Sequence, residues 1–226
     1  MSINNLTVLY YSANTEDPIF EANIRKKLIA NMGDLPLVSV TQEPALDFGK
    51  NICVGKHHAC YGNEFRQIQI GLKEVKTDYV ITAEADVLYP PEYFKFQPTR
   101  GDCYRYGNIW LSYIRPQDDS QAVQRAFFKK YSDGAQIMRK DFWLDFIRKM
   151  IGDEDKWFTE ENKPRRIRTP KTDPKFIWMG ENPVVTFKTL NNVSRFSSRL
   201  PIREYKPVTT LPYWGDVGEL IKNMIV

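Results

Sequence analysis

The chain contains few of the residues that bind transition metals or form disulfides: three cysteines and two histidines among 226 residues. An odd and sparse set of cysteines is typical of reduced thiols rather than of a disulfide framework, so we expect a cytoplasmic protein. Cys53, His57, His58 and Cys60 lie close together. Their spacing is not one of the usual zinc patterns, and no second ligand pair follows downstream, so a structural zinc site is not expected.

Long apolar runs are also absent. No stretch approaches the roughly 20 apolar residues that a membrane-spanning helix requires, and residues 1–12 show no secretory signal pattern. The formal charge of +4 is too small to imply a strong field for nucleic acid over the whole chain. Because 226 residues without repeats or an abrupt change in composition suffice for one sizeable core, we expect a single α/β domain over residues 1–226.

Strand and helix patterns alternate in the first ninety residues, which indicates a parallel sheet covered by helices. Asp17 and Pro18 are placed to begin the first helix, and Gly33 is placed to end it. Residues 43–56, with one proline and two glycines, are predicted to be a loop. The predicted strands here are 6–12, 37–41 and 79–83, and the predicted helices are 18–32 and 63–75.

The second half has a less regular pattern. Residues 103–114 indicate one or two strands, and residues 121–131 fit either a short helix or an extended segment. Residues 163–175 form a basic, proline-rich arm. The remaining predictions are strands at 134–138 and 183–188 and helices at 141–150 and 217–225.

Two carboxylates, Glu84 and Asp86, follow the apolar strand 79–83 and precede Pro90-Pro91. In an extended segment, residues i and i+2 point the same way, so both carboxylates can reach one cation. Prolines that end the strand would leave the acids at the rim of the sheet, where ligands of parallel sheets bind. The alternative is a pair of solvated carboxylates, although two like charges at a buried edge repel each other unless a cation compensates them.

The segment Ile81-Thr-Ala-Glu-Ala-Asp-Val-Leu-Tyr-Pro-Pro91 resembles the metal-binding DXD signature of GT-A glycosyltransferases, with Glu84 in place of the first Asp. In this family the acidic motif also follows a first strand and its loop, and the segment Val8-Leu-Tyr-Tyr-Ser-Ala-Asn14 is similar to that strand and loop. The resemblance implies a GT-A, Rossmann-like fold with a mixed, mainly parallel sheet. It also implies that Glu84 and Asp86 hold Mn²⁺ or Mg²⁺ on the diphosphate of a nucleotide sugar, most simply a UDP sugar. Residues 1–100 would bind this donor, and residues 101–226 would bind a hydroxyl acceptor.

Several residues are candidates for binding the nucleotide sugar. Tyr11, Ser12 and Asn14 lie where the family cradles the nucleotide, although they also fit an ordinary strand-to-helix turn. Arginine and lysine side chains bind phosphates, and the basic candidates in the C-terminal part are Lys188, Arg195 and Arg199, for which solvent-exposed surface charge is an equal explanation. Lys56, beside His57 and His58, is a further candidate, but residues of this kind more often belong to an ordinary polar loop.

A reaction that inverts the anomeric centre also needs a base that accepts the acceptor's hydroxyl proton. Asp155, Asp133 and Glu181 are the candidates in the second half. Asp155 lies in Asp153-Glu-Asp-Lys-Trp157, which loosely resembles a Glu-Asp pair of inverting members. Asp133 and Glu181 each adjoin a glycine and fit the alternative of closing a turn.

The basic arm at 163–175 is either a solvated loop or a surface that follows a phosphate backbone. A small transferase with such an arm is similar in type to the phage enzymes that glycosylate modified bases in DNA, which makes a hydroxymethylated base one candidate acceptor. Two other functions compete with glycosyl transfer. One is a nucleic-acid-binding module built on the arm. The other is a sugar-phosphate nucleotidyltransferase, which usually has a glycine-rich basic loop after its first strand, where this chain has Ser12-Ala-Asn-Thr-Glu-Asp17.

Overall fold

The structure is a computed structural model that describes residues 5–114, 124–129, 132–153, 156–164, 169–189, 191 and 205–226. Four helices and thirteen strands form the regular structure within these residues. The helices are α1 (Pro18–Asn31), α2 (Tyr61–Glu74), α3 (Lys140–Ile151) and α4 (Val217–Ile225). The strands are β1 (Leu6–Ser12), β2 (Leu37–Thr41), β3 (Lys50–Cys53), β4 (Tyr79–Glu84), β5 (Val87–Leu88), β6 (Cys103–Tyr106), β7 (Ile109–Tyr113), β8 (Ala126–Lys129), β9 (Gln136–Arg139), β10 (Ile177–Trp178), β11 (Val184–Lys188), β12 (Thr210–Leu211) and β13 (Gly215–Asp216).

The main sheet has seven strands in the order β10-β6-β9-β4-β1-β2-β3. Its pairs are parallel except where β9 runs antiparallel to both β4 and β6. The predicted fold class, a mixed and mainly parallel α/β sheet flanked by helices, is therefore confirmed. Both halves of the chain contribute strands, because β6, β9 and β10 follow residue 100.

A second sheet packs beside the first, in the order β5-β11-β7-β8. Only β7 and β11 are parallel in it; β5 and β8 are antiparallel to their neighbours. Helices α2 and α3 cover one face of the main sheet through Ile68, Leu72 and Trp143. The opposite face packs on α1 and on residues of the second sheet such as Ile109 and Val184. The main sheet is therefore buried on both faces, as its continuous apolar strands require.

Local chemistry explains the boundaries of α1. The Asp17 side chain accepts hydrogen bonds from the backbone N–H groups of Ile19 and Phe20 at 3.0 and 3.2 Å, and Pro18 occupies the first turn. Gly33, with a φ of +64°, follows the last turn in the left-handed region. The sequence prediction for this helix is confirmed.

The structure corrects one local prediction and decides between the alternatives of two others. The predicted loop at 43–56 contains β3, an edge strand that pairs with β2 from Val38↔Lys50 to Thr41↔Cys53. Residues 103–114 divide into β6 and β7, which belong to different sheets. Of the two alternatives for residues 121–131, residues 126–129 adopt the extended one and form β8. Residues 121–123 and 130–131 lie outside the described residues. No helix in the described part of the chain is long and apolar enough to cross a membrane.

Candidate functional site

Glu84 ends β4 at the carboxyl edge of the main sheet, and hydrogen bonds with neighbouring tyrosines hold both its carboxylate and its backbone N–H. Tyr11 is its register partner on β1, and the Tyr11 hydroxyl donates to Glu84 Oε1 at 2.7 Å. The Glu84 backbone N–H donates to the Tyr89 hydroxyl at 3.0 Å, and that hydroxyl donates to the Gly134 carbonyl at 2.6 Å. Because Tyr89 is fully buried, this chain of bonds fixes the end of β4 against the turn that precedes β9.

Gly134 leaves the space that the Glu84 carboxylate occupies. A Cβ atom at position 134 would overlap the carboxylate oxygens and carbon of Glu84. The absence of a side chain at this position therefore sets where the carboxylate lies.

Asp86 lies at the junction between the two sheets. Strand β4 ends at Glu84, and residues 85–86 form a turn, so the argument from alternating residues in an extended segment does not apply. The Asp86 carbonyl accepts a hydrogen bond from the Phe187 N–H of β11 at 2.8 Å. The two carboxylates nevertheless influence each other: burial and then the charge of Asp86 raise the pKa of Glu84 to about 7.

Two further carboxylates surround this pair, and the sequence analysis missed both. Burial, followed by the charges of Glu84 and Asp133, raises the pKa of Glu64, in the first turn of α2, well above its ordinary range. Burial raises the pKa of Glu16 to about 7, against the effect of a 2.9 Å hydrogen bond from Thr189 Oγ1. These acids are far apart in the sequence: Glu16 precedes α1, Glu64 lies in α2 and Glu84 ends β4. Only the tertiary structure brings them together.

Three basic side chains face the acids. Lys129, at the end of β8, donates to Ser132 Oγ at 3.3 Å; burial lowers its pKa, while the charge of Glu84 raises it. The charges of Lys188 and Asp86 both influence Glu16, which places the Lys188 ammonium on the same side of the site. Arg105 Nη2 forms a salt bridge with Asp133 Oδ1 at 2.9 Å.

The three residues predicted to line the nucleotide lie together at the end of β1. Tyr11 orients Glu84, and the backbone carbonyl of Ser12 accepts from Gln67 Nε2 at 2.7 Å. Asn14 has a φ of +50°, and its Oδ1 accepts from the N–H groups of Gln42 and Glu43 at 2.8 and 2.9 Å. Asn14 thus joins the loop after β1 to the loop after β2; its contact with a ligand stays a prediction.

The segment around His57 is organised by contacts within the protein. The His57 ring stacks on Trp157, with centroids 3.6 Å apart, and the His57 N–H donates to Gln42 Oε1 at 2.8 Å. His58 Nε2 lies 3.0 Å from Glu160 Oε2. The Lys56 side chain is 86% exposed, and its ammonium lies 3.6 Å from the Glu43 carboxylate in a surface ion pair.

The base candidates lie in different surroundings. Asp133 adjoins Gly134 and belongs to the acidic cluster, where it also accepts from Thr169 Oγ1 at 3.2 Å. Glu181 is exposed in the turn between β10 and β11, and its backbone carbonyl accepts from Asn108 Nδ2 at 3.2 Å. Asp155, Arg195 and Arg199 lie outside the described residues.

The donor set around Glu84 fits a divalent cation whose coordination a ligand completes. Among the residues that the structure describes, no three Asp, Glu, His or Cys side chains converge into a complete metal site. Mg²⁺, however, usually takes one or two protein carboxylates together with substrate phosphates and water. The half-buried Glu84 and Asp86 side chains, two residues apart at the end of β4, offer that partial set.

Comparisons with known proteins give distant likenesses only. No family model and no curated protein sequence matches the chain. The bifunctional IspDF from Campylobacter jejuni has a TM-score of 0.41 at 12% identity, over 66% of this chain and 45% of that one. S. aureus TarS in complex with UDP-GlcNAc has a TM-score of 0.40 at 12% identity, over 60% and 45%. A glycosyltransferase involved in the glycosylation of the major capsid of PBCV-1 has a TM-score of 0.38 at 9% identity, over 69% and 70%.

Glycosyltransferases are thus among the similar solved structures. This chain spans less than half of the length of the first two. At these TM-scores the likeness does not carry an activity to this chain, and a function has to be argued from the site itself.

Proposed function

We propose that this protein is a metal-dependent glycosyltransferase that moves a sugar from a nucleoside diphosphate sugar, most simply a UDP sugar, to a hydroxyl acceptor. One observation carries the proposal: Glu84 and Asp86 lie at the carboxyl edge of the central strand, close enough that the charge of Asp86 adds to burial in raising the pKa of Glu84. A divalent cation relieves this repulsion, and when bound it stabilises the charge of the leaving diphosphate.

The protein's own residues have distinct roles in this proposal. The Tyr11 hydroxyl donates a hydrogen bond to Glu84 Oε1 and thereby orients the carboxylate. Lys129, on the second sheet, interacts with the acidic pair, and Lys188, on β11 of the same sheet, interacts with Glu16; in our proposal their ammonium groups bind phosphate oxygens. Ser12 and Asn14 shape the loop beside which the nucleoside would lie.

Transfer with inversion requires one deprotonation and one displacement. A carboxylate accepts the acceptor's hydroxyl proton while that oxygen bonds to the anomeric carbon, and the bond from this carbon to the diphosphate oxygen breaks with its electron pair. Asp133, Asp155 and Glu181 remain the proposed bases. Asp133→Asn, Asp155→Asn and Glu181→Gln, made singly, identify the base as the variant that loses transfer while it still binds UDP.

Titration calorimetry of UDP with and without Mn²⁺ tests the donor site. We expect Mn²⁺ to tighten UDP binding in the wild-type protein, and we expect Glu84→Gln combined with Asp86→Asn to abolish that gain. Asp78→Asn is the matched control, because Asp78 is exposed at the opposite end of β4. Equal UDP binding with and without Mn²⁺, or an unchanged gain in the double variant, would refute the proposal.

A hydrolysis screen then identifies the donor. Purified protein is incubated with Mn²⁺ and individual UDP, GDP and TDP sugars, and release of the nucleoside diphosphate is measured. This assay needs no acceptor, so it separates donor recognition from acceptor recognition.

A hydroxymethylated base in DNA remains one proposed acceptor, reached through the basic arm. Lys163 and Lys175 of this arm pair with Glu160 and Asp173 at 2.5 and 3.2 Å, whereas Lys171 is exposed. Arg165, Arg166 and Arg168 lie outside the described residues. DNA binding that weakens steeply with salt, and weakens further in Lys171→Ala, would support this acceptor.

A further inference from the structure

Strand register brings two lysines and two aromatic residues onto one face of the second sheet. Lys188 on β11 is the register partner of Tyr113 on β7, and both side chains therefore project from the same face. Phe127 on β8 pairs with Leu111, two residues before Tyr113, and Lys129 pairs with Ile109. Tyr113, Phe127, Lys129 and Lys188 are all half-buried, so each presents part of its side chain at the surface.

The two aromatic rings form a corner. The Tyr113 and Phe127 ring centroids are 5.7 Å apart, and the ring planes meet at 80°. Edge-to-face packing leaves the face of one ring available to a third group. Such a corner suits a puckered ring with C–H groups on one side better than it suits a flat base between parallel rings.

This aromatic corner lies near the acidic pair, because the Asp86 carbonyl accepts a 2.8 Å hydrogen bond from the N–H of Phe187, which precedes Lys188 and is the register partner of Ser112. Lys129, two residues from Phe127 on the same face, interacts with Glu84, Asp86 and Lys188. Lys188, beside Tyr113, interacts with Glu16. A group that rests on the corner would therefore lie next to the phosphates that Glu84 and Asp86 are proposed to hold through a cation.

The local charge favours a neutral ligand at this position. Among the described residues, Glu16, Glu64 and Asp133 join Glu84 and Asp86, and Arg105, Lys129 and Lys188 face them. Arg105 is paired with Asp133, and a donor diphosphate would occupy the two lysines. A polyanionic strand beside this cluster would then have none of these three basic groups left to bind its phosphates, whereas a neutral sugar ring needs none.

We propose that Tyr113 and Phe127 form the acceptor subsite and that it takes a neutral saccharide, with the C–H side of a sugar ring against an aromatic face and a hydroxyl turned toward the donor. The aromatic faces carry negative potential, which attracts the weakly positive C–H groups of the sugar. This inference rests on the proposed glycosyltransferase function and deepens it by naming the class of acceptor.

Two measurements test the subsite separately from the donor site. The first is saturation-transfer NMR with methyl glycosides of glucose, galactose and N-acetylglucosamine, which needs no donor. The second is the KM of the best of these acceptors with the donor found by hydrolysis. The variants are Phe127→Leu and Tyr113→Leu, which keep apolar volume but remove the ring.

Phe128→Leu is the matched control. Phe128 is the next residue on β8 and projects to the opposite face, where its ring packs 5.6 Å from Trp110. We expect Phe127→Leu and Tyr113→Leu to lose the glycoside signal and to raise the acceptor KM about tenfold, while UDP affinity and donor hydrolysis change less than about twofold. Phe128→Leu should leave the KM at the wild-type value.

The outcomes distinguish this inference from the proposed function. A glycoside signal that is absent from the wild type or unchanged in both variants overturns the subsite, even where UDP binds with Mn²⁺. A better transfer rate to an oligonucleotide that contains 5-hydroxymethylcytosine than to any glycoside also overturns it. Ring-dependent glycoside binding without metal-dependent UDP binding supports the subsite and refutes the donor site.

Discussion

The Tyr11 hydroxyl donates a 2.7 Å hydrogen bond to the Glu84 carboxylate, and this bond lowers the pKa that burial and Asp86 raise. The two residues are register partners on adjacent parallel strands. A neutral hydroxyl thus favours the charged form of an acid in a site with an excess of acids. It does so without supplying a positive charge that would compete with a cation for the carboxylate.

Removing this hydroxyl in Tyr11→Phe should raise the pKa of Glu84 further and weaken metal-dependent binding near neutral pH. At pH 6.5 we expect UDP with Mn²⁺ to bind about tenfold more weakly than in the wild type, since a hydrogen bond to a charged group contributes about 1.5 kcal/mol or more. Above pH 8.5 the difference should shrink, because the carboxylate then ionises in both proteins. Calorimetry across this pH range measures the effect.

Tyr10→Phe controls for the loss of a buried tyrosine hydroxyl. Tyr10 lies on the same strand, but its hydroxyl donates to Glu21 at 2.8 Å on the opposite face. This variant should leave the pH midpoint of binding where it is in the wild type. An equal shift in both variants would contradict a specific role for Tyr11.

The stability of the ligand-free protein should fall as the pH rises from about 4.5 to about 7. Glu16 and Glu84 both have pKa values raised to about 7 in the folded state, so the folded protein binds more protons than the unfolded chain in this range. Each group contributes on the order of 1–3 kcal/mol to the loss. Urea unfolding at intervals of half a pH unit measures the slope.

Glu16→Gln removes one of these groups and should make that slope shallower. The glutamine can still accept the hydrogen bond from Thr189 Oγ1. Between pH 5 and pH 8 we expect this variant to lose about 1–2 kcal/mol less stability than the wild type. A slope as steep as that of the wild type would show that Glu16 stays ionised throughout.

Gly134→Ala should damage ligand binding far more than folding. A Cβ at this position overlaps the end of the Glu84 side chain, which can rotate away. We therefore expect the free energy of unfolding to change by less than about 1 kcal/mol and metal-dependent UDP binding to fall at least about tenfold. Unfolding curves and calorimetry on the same sample separate the two effects; unaltered affinity would contradict the role given to Gly134.

Arg105→Gln should destabilise the protein by about 1–3 kcal/mol. Its guanidinium is 9% exposed and lies 2.9 Å from Asp133 and 3.0 Å from the Pro170 carbonyl, so its loss removes the donor to a buried carbonyl as well as an ion pair. Arg139→Gln is the control, because the Arg139–Asp102 pair is about half exposed and should contribute less than about 1 kcal/mol. Similar losses in the two variants would contradict this account.

Sequence patterns predicted the strands and helices that have an uninterrupted apolar pattern and clear signals at their ends. Strands β1 and β2 and helix α4 have the predicted limits, and Asp17 caps α1 as expected. Strand β3 was missed because its burial comes from pairing with β2 alone and its residues do not alternate between apolar and polar. The second sheet was missed because β11 pairs with β5 and β7 across long separations in sequence.

The site was predictable only where a motif marks it. Glu84 and Asp86 stand out through their spacing after a buried strand, although their roles remain proposals. Glu16, Glu64 and Lys129 carry no local signal, because only burial and tertiary proximity alter their charge states. Distances between loops are not encoded in any short stretch of sequence.

The junction at residues 84–86 links ligand binding to the architecture as a whole. One carboxylate closes a strand of the seven-stranded sheet, and the other immediately precedes the first strand of the four-stranded sheet. An ion held by both carboxylates, as proposed, would link the two layers in addition to the hydrogen bonds and side-chain packing that already join them. Saturation with donor and Mn²⁺ should therefore slow amide exchange in both layers together, including strands such as β7 that contribute no residue to the proposed donor site.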